Sequence, residues 1–341
     1  MTRLLEYSRT NEEKIAAAVE ALGQPPADIA DSILSVTQLM ALDIPERKLL
    51  FPWLPQASIA MVFGPPGVGK TYFTLSLAVS LAHALPFMKW EAPPPTGVLY
   101  VDGEMPLSLM KERLLALSPG KSLAPLEIFS HEKHFEKTEK DLQLCDASMQ
   151  AAVQEYLEGR QDIGCLILDN LSCLLPTVRE DKRDEWATRV LPFLLWLRRR
   201  RIAVVLCHHT GHDESHQRGT SSRRDALDIE IRLQRVSDES EGAHFSVNFT
   251  KCRGVYGDAV APFEAHLSED AHGRPQWECV AIVEGTKERL LVLVQDGVTS
   301  VKDAAEALGV KPPAVSKAAK KLREEGRLGP GPELKLPGRF P

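Results

Sequence analysis

The sequence predicts an α/β protein, a mostly parallel sheet with helices on both faces, followed by a small helical module. Three observations predict it. Between Ile59 and Cys207, short apolar runs alternate with longer helical patterns, as strands covered by helices on both faces do. A glycine-rich stretch, GPPGVGKT (Gly64 to Thr71), lies between the first such run and the first such helix. From Thr286 onward the pattern changes to three short helices and a Gly/Pro-rich hairpin.

Composition narrows the function classes. Hydrophobic residues make up 43% of the chain, enough for a large core and too many for wholesale disorder. No apolar run reaches the length of a membrane span, and MTRLLEYSRT at the N-terminus lacks an apolar signal core, so a cytoplasmic protein without a membrane partner is expected. The six cysteines are scattered, with no C-x-x-C pair to suggest zinc. Cys165 and Cys207 sit in strand-like runs and read as buried reduced thiols. Net charge is −6, yet residues 286–341 carry 11 Lys+Arg against 7 Asp+Glu. A basic tail on an acidic body points to polyanion contact by the tail.

The elements follow in order. Asn11 to Leu22 reads as a helix that ends before Gly23 and the Pro25-Pro26 pair. Residues 1–44 form an N-terminal arm, which either packs on the core or reaches a neighbouring subunit. Residues 45–285 form the main domain. Its strands are expected at 59–63, 97–101, 126–130, 165–168 and 202–207, with helices at 72–85, 107–117, 148–158 and 185–200. After Ser222, short alternating pieces at 229–236, 244–251 and 276–283 read as antiparallel edge strands. Residues 286–341 form the last domain, with helices at 287–295, 300–308 and 313–325.

The glycine-rich stretch fits G-x-x-x-x-G-K-[ST] at every fixed position. Its glycines let the backbone approach an anion, and the following helix N-terminus adds partial positive charge. Gly64, Pro65, Pro66, Gly67, Val68, Gly69, Lys70, Thr71 and Tyr72 are therefore the expected ATP-binding residues. Lys70 should reach the β- and γ-phosphates, and the Thr71 hydroxyl should hold Mg²⁺.

Other strand ends supply the rest of an ATPase. LILDN closes a strand with Asp169, placed to bind the Mg²⁺ shell. VLYVDGEMP puts Asp102 and Glu104 just past another strand, and Glu104 is the candidate base for the attacking water. His208 and His209 end the strand IAVVLC, where a histidine could sense the γ-phosphate. Lys251 and Arg253 in TKCRG stand at alternate strand positions, with Arg253 a candidate arginine finger for a neighbour's site.

The order GPPGVGKT, VLYVDGEMP, LILDN, CHHTG, RGTSSRRDALDIEIRLQ, TKCRG resembles the RecA-fold ATPases of the hexameric replicative helicase group. The RepA-type helicases of plasmids are the nearer likeness and the DnaB-type helicases the more distant. The likeness covers about Pro45 to Val283 and rests most on Arg218 to Ser221, Ile231 to Gln234 and Lys251 to Gly254. It implies a RecA-like fold and a homo-hexamer acting in DNA replication with ATP and Mg²⁺. It implies a replication-initiation or primase partner, and Arg232 or Arg253 acting in trans. It also implies that loops after the Asp169 and His209 strands face a channel for single-stranded DNA. There Arg179, Lys182, Arg183, Arg218, Arg223 and Arg224 would follow the backbone. The chain departs from the family in its additional C-terminal module and in lacking the long N-terminal domain of DnaB-type helicases. A non-unwinding loader or regulatory ATPase of the same fold is the alternative.

That module looks like a winged helix-turn-helix. Ala304, Ala305 and Leu308 supply one apolar face, and Val315, Ala319 and Leu322 the next. Lys317, Lys320 and Lys321 are left outward for duplex DNA, and residues 327–336 would form the wing.

Overall fold

The structure is a computed structural model that describes residues 32–178, 183–209, 225–236, 242–271, 273–282, 286–295, 297–308 and 310–336. The helix expected at 11–22 lies outside them. The chain divides into two units, Met1–Arg47 and Lys48–Pro341. The described part of the first holds one short helix, α1 (Val36–Ala41), opened by a capping box in which Ser35 and Gln38 satisfy each other's backbone amides.

The second unit begins with a small antiparallel pair, β1 (Leu49–Phe51) and β2 (Leu54–Pro55). Next come β3 (Ile59–Gly64), α2 (Lys70–His83), β4 (Gly97–Asp102), α3 (Leu107–Leu117), β5 (Leu126–Ser130) and α4 (His131–Thr138). Then follow α5 (Ala147–Glu158), β6 (Ile163–Asp169), α6 (Leu171–Leu174), α7 (Arg183–Arg189), α8 (Leu191–Arg199) and β7 (Ala203–His209). The sheet ends with β8 (Ile229–Arg235), β9 (His244–Cys252), β10 (Phe263–Glu269) and β11 (Pro275–Ala281).

Nine strands make one sheet in the order β11-β10-β9-β8-β3-β7-β6-β4-β5. From β8 to β5 every pairing is parallel, and β9, β10 and β11 are added antiparallel. β3 is buried along its whole length. Ala60 and Val62 pack with Phe73, Leu77 and Leu81 of α2 on one face, while Met61 and Phe63 pack with Phe193, Leu194 and Leu197 of α8 on the other. A strand with two buried faces must be apolar throughout, which is why it reads as a continuous run. Phe51, Trp53, Phe87, Trp90, Phe249 and Phe263 form an aromatic cluster on the α2 face, with ring centroids 5.3–6.5 Å apart.

Several elements differ from expectation. The helix expected at 185–200 is two helices, because Pro192 stands in the first turn of α8 and cannot continue α7. α4, sequence HEKHFEKT, was not expected. None of its residues is buried, so it offers no apolar period, yet Glu132 accepts the Leu107 amide at 2.5 Å and ties it to the start of α3. β10 was also missed. β9 ends at Cys252, so Arg253 lies just past it and does not share a regular strand face with Lys251.

The C-terminal helices are α9 (Thr286–Gln295), α10 (Val301–Leu308) and α11 (Pro312–Glu324). Ala304, Ala305, Leu308, Val315, Ala319 and Leu322 are all buried in a separate core with Leu290 and Val294. Residues 327–336 form no strand. A single backbone bond, Gly329 N–H to Lys335 O at 2.8 Å, closes the loop, since Pro330 and Pro332 have no amide to extend a ladder.

Candidate ATP site at the strand ends

Parallel strands bring their C-terminal ends to one edge of the sheet. Alternation along each strand then selects which residues face α2. Tyr100 on β4, like Cys165 and Ile167 on β6 and Ala203 and Val205 on β7, faces it. Asp102, Asp169 and His209 continue those same alternations. His208 is one residue out of step and is buried on the opposite side. A pocket of about 210 Å³ gathers Lys70, Thr71, Glu104, Arg113, Asp169 and His209 around the loop. A larger cavity, of about 340 Å³ around Phe129, Val153 and Tyr156, lies at the β5 edge away from this chemistry.

The loop's geometry suits an anion. Gly69 has φ 108°, and a side chain there would meet Phe245 at 2.9 Å and Ala243 at 2.8 Å. Only glycine satisfies both restrictions. Gly67 also has positive φ. Lys70 is buried and donates to the carbonyls of Gly64 at 3.0 Å and Pro65 at 2.8 Å. Burial pulls its ammonium pKa below the ordinary value, and the carboxylates of Asp169 and Glu104 partly oppose this.

Asp169 is held by two hydroxyls. Tyr100 Oη donates to its Oδ2 at 2.6 Å, and Thr74 Oγ1 on α2 does so at 3.3 Å. Burial and the adjacent carboxylate push the Tyr100 phenol well above its usual pKa, so it stays a donor. Asp102 is buried and accepts the Met105 amide with both oxygens at 3.2 Å. It shapes the turn that presents Glu104. Burial raises its pKa to about 6. Glu104 is exposed to the pocket, and the thiol of Cys173 on α6 donates to its Oε2 at 3.2 Å.

Oxygen donors from Thr71 and Asp169 at an anion-binding loop are the hard ligand set that Mg²⁺ takes, completed by substrate phosphates. Among the described residues no group of three or more His, Cys, Asp or Glu could hold a metal by itself. Bound there, Mg²⁺ would neutralise charge developing on the phosphates.

Other expected residues stand elsewhere. Arg253 and Lys251 lie at the opposite edge of the sheet. The Arg253 amide bonds Asp228 O, its guanidinium is 3.7 Å from the Asp228 carboxylate, and its side chain is 55% exposed. Asp228 precedes β8 and accepts the Ile59 amide at the start of β3. The six residues of β3 separate Arg253 from its own loop by about 20 Å at ~3.3 Å per residue. Arg232 is half-buried in mid-β8, facing away from α2. Arg198 pairs with Asp228, and Arg200 with Glu158. Arg179, Lys182, Arg218, Arg223 and Arg224 lie outside the described residues, and Arg183 is the first residue of α7. Lys317, Lys320 and Lys321 are exposed on α11.

Sequence reasoning missed four neighbours of the loop. These are Tyr100, Thr74, Arg113 (stacked 4.5 Å over the Tyr72 ring) and Arg235, whose Nη2 is 3.5 Å from where a Cβ on Gly67 would lie. Tyr100, Thr74 and Arg235 lie within a few residues of positions already singled out, whereas Arg113 stands in the middle of α3 with no such signal.

This fold and site define a P-loop ATPase with a RecA-like core. The family model described as AAA domain matches residues 24–215, more than half of the chain, and the chain belongs to that family. Among solved structures it is similar to the flagellar accessory protein FlaH from Methanocaldococcus jannaschii. The identity is 13% and the TM-score 0.44, over 66% of this chain and 91% of that one. No curated protein matches. No helix among the described residues is long and apolar enough to cross a membrane.

Proposed function

We propose that this chain is an ATP-driven DNA translocase or helicase of a plasmid or other mobile element, working in replication as a head-to-tail homo-hexameric ring. One observation carries the reading. Groups for phosphate binding and water activation converge at one edge of the sheet, while the exposed Arg253 stands at the other. A head-to-tail neighbour would bring the two edges together.

In this reading Lys70 holds the β- and γ-phosphates, and Thr71 and Asp169 hold Mg²⁺. Glu104 takes a proton from the attacking water, and His209 reports on the γ-phosphate. Arg253 is the trans finger in preference to the half-buried Arg232. Residues 286–341 act as a winged helix whose Lys317, Lys320 and Lys321 contact duplex DNA. Channel contacts by Arg179, Lys182, Arg183, Arg218, Arg223 and Arg224, and a replication-initiation or primase partner, belong to the same proposal.

The deciding experiment is a strand-displacement assay with ATP, beside hydrolysis measured with and without single-stranded DNA. DNA-stimulated hydrolysis with displacement is expected. Stimulation without displacement would make the protein a loader or regulatory ATPase. Removing residues 286–341 should leave hydrolysis intact and weaken duplex binding at fixed salt. Equal affinity would assign that module to protein contacts.

A further inference from the structure

One buried side chain connects the candidate sensor and the candidate base. Asn170 follows Asp169 and opens α6. Its Oδ1 accepts the backbone amide of Cys173 at 3.1 Å. A backbone N–H can only donate, so this contact fixes which end of the carboxamide is oxygen. The other end, Nδ2, lies 3.1 Å from Nε2 of His209. Nε2 must therefore accept, and the neutral ring carries its proton on Nδ1. Among the described residues that Nδ1 is buried without a hydrogen-bond partner, on a residue that lines the phosphate pocket. The same turn carries Cys173, whose thiol holds one oxygen of Glu104 and leaves the other for a water. Gly103 makes room for this turn, because a side chain there would meet Leu174 at 2.9 Å and Cys173 at 3.1 Å.

We propose that Asn170 is a positioning residue for hydrolysis: it fixes His209 as an Nδ1–H donor toward the transferred phosphoryl group and, through Cys173, keeps Glu104 on the same turn. The proposal rests on the reading of this pocket as the ATP hydrolysis site. A residue that only capped α6 would need an acceptor for the Cys173 amide and nothing more.

Asn170→Asp separates the two roles. The carboxylate still caps Cys173, but it offers His209 an acceptor, which moves the ring proton to Nε2. The full chain is labelled with ¹⁵N-histidine, and His209 is assigned by loss of its signals in His209→Gln. Wild type should show a protonated Nδ1 and a bare Nε2, and Asn170→Asp the reverse. In the same variant kcat should fall about tenfold or more, the cost of misplacing a catalytic group, with nucleotide Kd and Tm unchanged. Should Asn170→Asp misfold, Asn170→Ser caps α6 but is too short to reach His209, and the same loss of kcat is expected. A wild-type His209 protonated on Nε2, or a folded capping variant with wild-type kcat, overturns the proposal. Hydrolysis by Lys70→Ala at the wild-type rate would overturn the ATP-site reading instead, and would leave the tautomer measurement standing.

Discussion

The two halves of the sheet place residues by different rules. From β8 to β5 all strands run in parallel, so each one delivers its last residue to the same edge. Asp102, Asp169 and His209 meet there although 67 residues separate the first two in sequence. From β8 to β11 direction alternates, so successive ends fall on opposite edges. Arg235 comes to the loop and Arg253 to the far side. A parallel half is suited to assembling a site within one chain, and an antiparallel half to presenting a group to another.

Breaking that division of labour at Arg253 should have the largest effect. Arg253→Ala should lower hydrolysis by about 10³–10⁵, the range for trans arginines in phosphoryl transfer. Mixing it with inactive Lys70→Ala subunits should restore part of the activity. No recovery despite labelled subunit exchange would make Arg253 a residue of its own chain's structure, and full activity of Arg253→Ala alone would leave Arg232 as the finger.

Within the parallel half, Glu104→Gln should keep nucleotide binding and lose turnover by about 10²–10⁴, the usual contribution of a general base. Normal turnover in a stopped-flow phosphate-release assay would place the base elsewhere.

Asp102 sharpens the comparison through pH. Its folded pKa of about 6 is above the ordinary 3.8. Between these values the folded chain holds a proton that the unfolded chain has released, so stability falls as pH rises from about 4 to about 6 and is level above. Asp102→Asn should remove this slope, worth up to about 3 kcal/mol. Urea melts of both proteins at several pH values check it, and parallel curves would refute the assignment.

The smallest effect is at Tyr100. Tyr100→Phe should cost about 1.5 kcal/mol, as loss of a bond to a charged acceptor does, and should weaken the Mg²⁺ dependence of hydrolysis by severalfold. A metal titration unchanged from wild type would show that Thr74 alone orients Asp169.

The same contrast explains what could be read in the sequence. Strands buried on both faces, such as β3 and β7, are unbroken apolar runs and were legible. β10, sequence FEAHLSE, turns Phe263, Ala265 and Leu267 to the core, but Ala265 is small and Leu267 only partly buried, so the alternation does not stand out. α4 has no buried residue to mark it, and Pro192 inside an apolar helix was overridden by the run around it. That Lys70, Thr71, Glu104 and Asp169 come together in one pocket was legible because local spacing places each beside a strand end. Tyr100 and Asn170 were not, because their partners lie 69 and 39 residues away and only the fold makes them neighbours. Asn170 reads from the sequence as a helix cap alone, and its second contact exists only because the fold sets the His209 ring beside it.

β3 has a consequence for how the protein is made. Both its neighbours in the sheet, β7 and β8, lie far downstream of it in the chain. Ile59 bonds to Asp228, 169 residues further on. At 5–20 residues per second, synthesis of that stretch takes roughly 8–34 s. Before β8 exists β3 can pair only with β7, which is made earlier and sets Val204 opposite Ile59, so the parallel strands around the phosphate loop can assemble before the antiparallel edge is made.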